Sequence, residues 1–282
     1  MVSRLRHALA LIALLALAAC AAPPPSAPPP GPVPHFAAKP DEIFNRADTV
    51  AIALREWRLF GAKVDDEPPR SRNPNPPAAE KPERQPGLWQ RVGEYWWIGL
   101  ASPPGMVAPA EASWTGKHDA DGRVFPPDED GRYAWSAAFI SYVMRIAGAG
   151  DRFPYAPNHA TYVNAAAAGT SPILKAEPPE TYAPRPGDLI CYGRSIARRL
   201  RFADLPTGDV WPGHCAVVVD VAPGMLATVG GNVDDAVTMI HVPLTETGML
   251  ASPDGAVVDQ RYPWFVVLRV IYDTDYEPAG DE

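Results

Sequence analysis

The chain contains the stretch Trp135-Ser136-Ala137-Ala138-Phe139-Ile140-Ser141, which opens a segment that is apolar on nearly every side up to Ala147 and is followed by Gly148. A helix that is apolar all round is buried, so this segment predicts a buried helix that begins near Ser136. A helix N-terminus offers unpaired N–H groups and a partial positive charge, which stabilise a developing oxyanion. The alternative is that Ser136 is the N-cap residue that satisfies those donors.

Three further motifs follow this segment along the chain: Pro186-Gly187-Asp188-Leu189, then Gly213-His214 at the start of a Val-rich run, then Gly230-Gly231-Asn232. A covalent hydrolytic site combines a nucleophile, a His and a polar group that orients the His. The order of the motifs therefore indicates a scaffold in which a helix presents the nucleophile and later strands deliver the other groups. Ser occupies the nucleophile position in this chain.

Hydrophobic periodicity divides the chain into helices first and strands afterwards. Apolar residues at helical spacing predict amphipathic helices, and alternating Val-rich runs separated by Gly and Pro predict antiparallel strands. This order predicts an α+β fold in which N-terminal helices pack on an antiparallel sheet. The predicted helices are 43–60, 88–100, 135–147 and 159–168, and the predicted strands are 188–192, 215–221, 225–229, 236–242 and 264–270.

The N-terminus has the features of a targeting segment. A basic start precedes an apolar run that is too short to span a bilayer and has the form of a secretory signal. Residues 17–20 read Leu-Ala-Ala-Cys and resemble a bacterial lipobox, in which the Cys becomes the diacylated first residue of the mature protein. We therefore expect a signal peptide at 1–19 and lipidation at Cys20. Ala21, in place of an acidic residue, resembles an outer-membrane address.

Residues 20–40 are dominated by Pro and Ala, a composition that buries too little apolar surface to fold and favours an extended tether. The chain that follows, 41–276, is long enough for one sizeable core. We predict a single domain with a helical part at 41–133 and a nucleophile helix and sheet at 134–276. A domain anchored in this way would be periplasmic.

Composition and motif content exclude several classes of function. The 282-residue chain has a formal net charge of −8 at pH 7, which argues against nucleic acid as a partner. The sequence has no metal-ligand spacing, phosphate loop or dinucleotide fingerprint, so we predict no cofactor and no metal. Besides Cys20, the cysteines are Cys191 and Cys215. They lie on strands predicted to be neighbours in an oxidising compartment, so we predict a disulfide between them.

The motifs together resemble a known family. The stretches 135–141, 186–191, 214–218 and 230–233, with Glu56-Trp57 and Tyr95-Trp96 in the N-terminal part, are similar to the bacterial domain-of-unknown-function family numbered 2272. That family resembles in turn the NlpC-type and CHAP-type cell-wall amidases and peptidases, whose nucleophile motif reads Trp-Cys-Ala-Ala-Phe. The resemblance implies a papain-like fold with Ser136 as nucleophile, His214 as base and Asn232 as the orienting residue.

Ser in place of Cys changes what the site needs. A thiol can be brought to a pKa below neutrality, whereas a Ser hydroxyl needs a general base during attack. An Asn carries no charge to stabilise an imidazolium, which handicaps a Ser/His/Asn site, and an acid elsewhere would compensate for this. Asp188 and Asp220 are the nearest acids by strand position, and the alternative for Asp188 is a turn residue after Gly187.

Three more residues are candidates for substrate binding. Trp135 precedes the nucleophile position. His159, on the segment after the nucleophile helix, either lines the same cleft or is a solvent-exposed residue at a helix start. Arg194 begins an Arg-rich connection that either holds the carboxylates of a peptide or is a solvated loop.

Two functions from different classes fit these residues. One is hydrolysis of an amide bond in peptidoglycan by acyl transfer through Ser136. The other is an inactive relative that keeps the groove as a module for binding peptidoglycan or a muropeptide. The sequence carries no signal for an oligomeric state.

Overall fold

The structure, a computed structural model, describes residues 43–69, 80–100 and 134–274, which belong to the unit that begins at Ile43. The predicted signal peptide, Cys20 and the tether lie outside these residues, as does the stretch 101–133. Within the described ranges, no helix is long and apolar enough to cross a membrane.

Helices come before strands along the described chain, and every strand pairing in the sheet is antiparallel. The α+β prediction is therefore confirmed. The sheet has six strands in the order β1-β6-β2-β3-β4-β5. The helices are α1 (Arg46–Leu59), α2 (Leu88–Gly99), α3 (Ser136–Ile146) and α4 (His159–Ala167), and the strands are β1 (Leu174–Glu177), β2 (Leu189–Gly193), β3 (Gly213–Ala222), β4 (Met225–Val233), β5 (Ala236–Pro243) and β6 (Trp264–Val270).

Two strands differ from the prediction. The four-residue strand β1 was not predicted, because it is too short to show alternation and only its first residue is buried. Strand β4 continues through Gly230 and Gly231 to Val233, although a Gly-Gly pair usually indicates a turn. A Cβ atom at Gly231 would lie 2.5 Å from Cβ of Phe139 on α3. Glycine therefore lets the helix approach the strand, and it marks a contact rather than a turn.

The sheet is covered on both faces by apolar side chains. One face packs against the helices, with Val217, Val229 and Leu268 in the same buried cluster as Phe139 of α3. The other face is closed by the segment between β5 and β6. That second cluster contains Ile190, Val218, Leu226, Leu244, Leu250, Tyr262, Trp264 and Val267. Burial on both faces explains why the strands are rich in Val, Ile and Leu.

Helix α3 lies at the centre of the helical layer. Nine of its eleven residues are buried, as its all-round apolar sequence predicted. Its contact with α2 is close, because a Cβ atom at Gly99 would lie 2.6 Å from the carbonyl oxygen of Ala138. The close approach of α2 and the sheet fixes the position of the N-terminus of α3.

The three N-terminal helices also share one buried carboxylate, that of Glu56 on α1. Glu56 is fully buried and accepts hydrogen bonds from Nε and Nη2 of Arg91 on α2 at 2.6 Å each, and from the Tyr95 hydroxyl at 2.8 Å. The Tyr142 hydroxyl on α3 accepts a bond from Arg55 at 2.9 Å, and Arg55 also donates to Glu56. Burial alone would raise the pKa of Glu56, but the bonds from Arg91, Tyr95 and Arg55 outweigh burial and lower it.

We predict that Glu56→Gln lowers the free energy of unfolding by about 3 kcal/mol at pH 7, because it leaves the Arg91 guanidinium without its buried partner. The pKa of Glu56 is lowered in the folded state, so its contribution is present above the ordinary value of 4.5 and is lost as the pH falls. The difference between wild type and variant should therefore narrow in acid. Urea unfolding monitored by tryptophan fluorescence measures both effects.

Glu94→Gln is the matched control, because Glu94 also pairs with Arg91 but its side chain is 48% exposed. An exposed pair contributes about 0.2–1 kcal/mol. Equal losses in the two variants would contradict a dominant role for the buried carboxylate.

Candidate functional site

Ser136 is the first residue of α3. The N-cap position belongs to Trp135, whose side chain makes no capping bond, so the N-cap alternative for Ser136 does not describe this structure. The Ser136 hydroxyl oxygen lies 2.7 Å from Nε2 of His159, and both side chains are buried. The hydroxyl therefore forms a direct hydrogen bond with an imidazole in a site largely shielded from water.

His159 is in turn the first residue of α4. Asn158 caps this helix by accepting a hydrogen bond from the backbone N–H of Thr161 at 2.9 Å. The bond between Ser136 and His159 therefore joins the N-termini of two helices. Both helix ends contribute positive potential, which favours a neutral imidazole and a developing negative charge.

The second ring nitrogen of His159, Nδ1, forms a hydrogen bond with the Tyr162 hydroxyl, one turn further along α4. Tyr162 is fully buried, and among the described residues its hydroxyl has one hydrogen-bond partner, Nδ1 of His159. If Tyr162 donates to Nδ1, Nε2 carries the ring hydrogen and donates to Ser136. If Nδ1–H donates instead, the buried Tyr162 proton loses its acceptor, at a cost of about 1–3 kcal/mol. The network therefore favours the tautomer with hydrogen on Nε2 in the resting site.

Burial and neighbouring charge hold His159 in its neutral form. Burial is the largest cause that lowers its pKa well below 6.5, followed by His214 and then by Arg194. Burial also raises the pKa of the Tyr162 hydroxyl well above 10, so Tyr162 remains a neutral donor. A neutral imidazole is the form that can accept a proton from Ser136.

His214 lies beside His159 in the same site. It is the second residue of β3, it pairs with Tyr192 of β2, and its ring centroid is 5.6 Å from that of His159. Gly230 of β4 lies against it, because a Cβ atom there would approach Nε2 of His214 to 2.7 Å. Three of the four motifs, those that contain Ser136, His214 and Gly230, are therefore brought together at one end of the sheet.

The hydrogen-bond pattern differs from the expected one. The predicted partner of Ser136 was His214, whereas the hydroxyl bonds to His159, which was expected to contact substrate. The helix start at His159 was predicted and is confirmed, with Asn158 as its N-cap. Sequence carries no signal that this helix start would meet the start of α3, because that contact depends on packing.

Asn232 has a backbone role in the structure. Its φ of 58° lies in the left-handed region, at the register shift between Gly230 and Val233 where β4 pairs with β5. Asn tolerates this conformation better than most residues. Its side-chain amide makes no hydrogen bond to any residue that the structure describes, so the predicted orienting contact with an imidazole is not formed.

The two candidate acids lie at the opposite end of the sheet. Val218 of β3 donates a backbone hydrogen bond to Asp188, four residues from His214, which corresponds to about 13 Å of strand. Asp188 is buried and accepts bonds from the Tyr182 hydroxyl and the backbone of Val270. Burial raises its pKa despite these bonds. Asp188 thus fixes the turn before β2, and Asp220 lies further still from His214.

Of the predicted substrate-binding residues, Trp135 is fully buried. Its indole Nε1 donates to Glu83 at 2.6 Å, and its ring packs against Tyr95 with centroids 5.6 Å apart. Trp135 therefore belongs to the core, and we assign it no substrate contact. Arg194, in contrast, is exposed immediately after β2.

A disulfide lies next to the site. Cys191 of β2 and Cys215 of β3 face each other in register, with sulfur atoms bonded at 2.06 Å and Cα atoms 4.1 Å apart. Both are fully buried in the cluster under the helices. Side chains alternate along a strand, so His214 points to the other face. The bond therefore ties together the two strands that carry Tyr192 and His214.

The described residues contain no group of three or more His, Cys, Asp and Glu side chains that could hold a metal ion.

Comparison with known proteins identifies the family. Residues 83–270 match the DUF2272 family, described as "Uncharacterized protein conserved in bacteria". This match covers more than half of the chain and contains Ser136, His159, Arg194 and His214, so the protein belongs to the DUF2272 family. No curated protein and no solved structure matches the chain.

We predict that the hydroxyl of Tyr162 controls the tautomer of His159. Nitrogen NMR of the histidine rings at pH 7 should show neutral His159 with hydrogen on Nε2 in the wild type. Tyr162→Phe removes the donor to Nδ1, so the fraction with hydrogen on Nδ1 should rise. Tyr155→Phe, which removes a hydroxyl that donates to the Gly150 carbonyl, is the control and should leave the tautomer unchanged. A wild-type signal with hydrogen on Nδ1 would refute the assignment.

Proposed function

We propose that this protein is a lipid-anchored, periplasmic hydrolase of papain-like fold that cleaves an amide bond in peptidoglycan by acyl transfer. The observation that carries the proposal is the 2.7 Å contact between the Ser136 hydroxyl and Nε2 of His159 at the start of two helices. A nucleophile within hydrogen-bond distance of a neutral imidazole is the arrangement that acyl transfer needs. The substrate class and the location are supported by the sequence resemblance and by the lipobox.

In the proposed reaction, Ser136 attacks the scissile carbonyl while Nε2 of His159 takes the hydroxyl proton. This step requires the tautomer with hydrogen on Nδ1, which then donates to the Tyr162 oxygen. The N–H groups of the first turn of α3 stabilise the oxyanion. His159 next protonates the leaving amine, and water with the same base hydrolyses the acyl-enzyme. His214 adds to the potential that keeps His159 neutral.

One observation favours the second candidate, an inactive module that binds peptidoglycan. The resting hydrogen-bond network places the ring hydrogen on Nε2, where it blocks proton transfer from Ser136. Reaching the productive tautomer therefore costs an enzyme about 1–3 kcal/mol, which slows attack by roughly 5- to 160-fold. An inactive relative without a charged orienting residue would keep the binding groove and lose proton transfer from Ser136 to the imidazole.

A fluorophosphonate probe separates the two candidates, because an activated serine attacks its phosphorus, displaces fluoride and becomes phosphonylated. We expect the wild type to be labelled, and we expect Ser136→Ala and His159→Ala to lose labelling by 100-fold or more, in the range of about 10²–10⁴ for a general base. His214→Ala should lose less. Ser252→Ala, at a half-buried serine on the segment between β5 and β6, is the control that should label like the wild type. An unlabelled wild type that still binds muropeptides would instead establish the binding module.

The anchor is tested separately. Cys20→Ser should abolish lipidation, because a hydroxyl cannot replace the acylated thiol, and the protein should leave the membrane fraction. Mass spectrometry of the N-terminal peptide should show acyl chains on Cys20 in the wild type and none in the variant. Stable anchoring needs more than one chain, so a wild-type peptide without acyl mass would contradict the proposed location.

A further inference from the structure

The connection between β2 and β3 carries a group of exposed arginines in an otherwise acidic protein. Arg194, Arg198, Arg199 and Arg201 lie within eight residues, and all four are exposed. The whole chain has a net charge of −8. In the described part of the protein, none of these four guanidinium groups forms a salt bridge. The segment 194–201, here called the arginine segment, therefore carries four exposed positive charges, and the nearby exposed carboxylate of Asp204 accepts a bond from the Arg201 backbone N–H at 2.8 Å.

Arg194 lies at the end of the sheet that holds the site. It follows Gly193, the last residue of β2, and its backbone N–H donates to the carbonyl of Pro212 at 2.8 Å. Gly193 pairs with Gly213, and the preceding residue, Tyr192, pairs with His214. Arg194 therefore lies two positions beyond the pair formed by Tyr192 and His214.

The same connection is tied to the helix that begins at His159. Asn164 of α4 donates to the Thr207 hydroxyl at 3.0 Å and accepts from the Thr207 backbone at 2.9 Å. The indole of Trp211 donates to the same hydroxyl at 3.0 Å. These bonds hold the connection against α4, as expected if Arg194 stands over the site. The charge of Arg194 also contributes to the low pKa of His159, which agrees with this position.

A solvated loop is the alternative for the arginine segment, and it explains the exposure but not the fixed position of Arg194. The acids nearest in strand position, Asp188 and Asp220, lie at the other end of the sheet. Arginine binds a carboxylate through two parallel hydrogen bonds, which makes it more selective than a point charge. An exposed arginine without an ion pair among the described residues, at the end of the sheet that holds His214, therefore fits a substrate that carries its own carboxylate.

We propose that Arg194 binds a carboxylate of the substrate and makes the site selective for anionic acyl donors over neutral ones of the same size. The catalytic measurement of this selectivity rests on the proposed hydrolase, whereas the binding measurement does not. The rest of the arginine segment attracts the anion at longer range, an effect that salt screens.

The catalytic measurement uses two esters of equal length, 4-nitrophenyl hydrogen glutarate and the 4-nitrophenyl ester that ends in a carboxamide. The wild type should hydrolyse the carboxylate ester with at least tenfold higher kcat/KM. Arg194→Gln should remove this preference, so that the ratio of kcat/KM for the two esters falls to about one. Arg185→Gln removes the same charge from an exposed position at the other end of β2 and should keep the preference. An equal preference in wild type and Arg194→Gln would overturn the proposal.

The binding measurement uses Ser136→Ala protein, which cannot turn over, and isothermal titration with glutaric acid monoanilide and the matching anilide that ends in a carboxamide. The carboxylate ligand should bind at least tenfold more tightly, and Arg194→Gln in the same background should abolish the difference. Equal affinity for the two ligands would overturn the proposal whatever the esters show. The wild type could cleave neither ester while the carboxylate ligand still binds in a way that depends on Arg194. This result would support carboxylate binding by Arg194 and reject the proposed hydrolase.

Discussion

The buried carboxylate of Glu56 holds together the layer on which the site depends. It takes an ion pair from Arg91 of α2 and a phenol hydrogen bond from Tyr95, and the shared Arg55 extends the network to Tyr142 of α3. A buried charge is stable only when its lone pairs are satisfied, so these helices can pack in few other ways. Their packing determines where the first turn of α3 lies, and hence where Ser136 lies.

The chemistry of the site follows from the meeting of two helix N-termini. Each helix contributes its first side chain, a hydroxyl from α3 and an imidazole from α4, and each contributes positive potential. Together with burial, this positive potential stabilises the neutral imidazole of His159 and a transient oxyanion, and it destabilises the imidazolium form. The same field would favour a thiolate, which the chain lacks at this position. The Ser136 hydroxyl depends instead on the imidazole of His159 as a base. The imidazole is a base at Nε2 only when its hydrogen is on Nδ1, and this depends on whether Tyr162 or Nδ1 donates the hydrogen bond between them.

The sheet supplies the opposite wall of the site and makes it rigid. The disulfide joins β2 to β3 next to the pair formed by Tyr192 and His214. Gly230 leaves room for the His214 ring, and Gly231 leaves room for α3. Beyond the strand ends, the bonds from Asn164 and Trp211 to Thr207 fix the connection that carries Arg194. A rigid base with exposed positive charge at its rim is suited to recognition of an anionic group.

Local pattern by itself determined the helices, most strands, the buried character of the segment after Trp135 and three of the four motifs, those that meet at one end of the sheet. These features depend on hydrophobic period and on residue type over a few positions, which the chain displays directly. The tertiary structure decided which imidazole meets Ser136, because that contact joins two helix starts whose approach depends on packing across the core. It also decided that Trp135 is a core residue and that Asp188 lies far from His214. Asn232, in turn, adopts the left-handed backbone conformation at the register shift between β4 and β5. Such assignments depend on distances between elements, and spacing along the chain does not encode them.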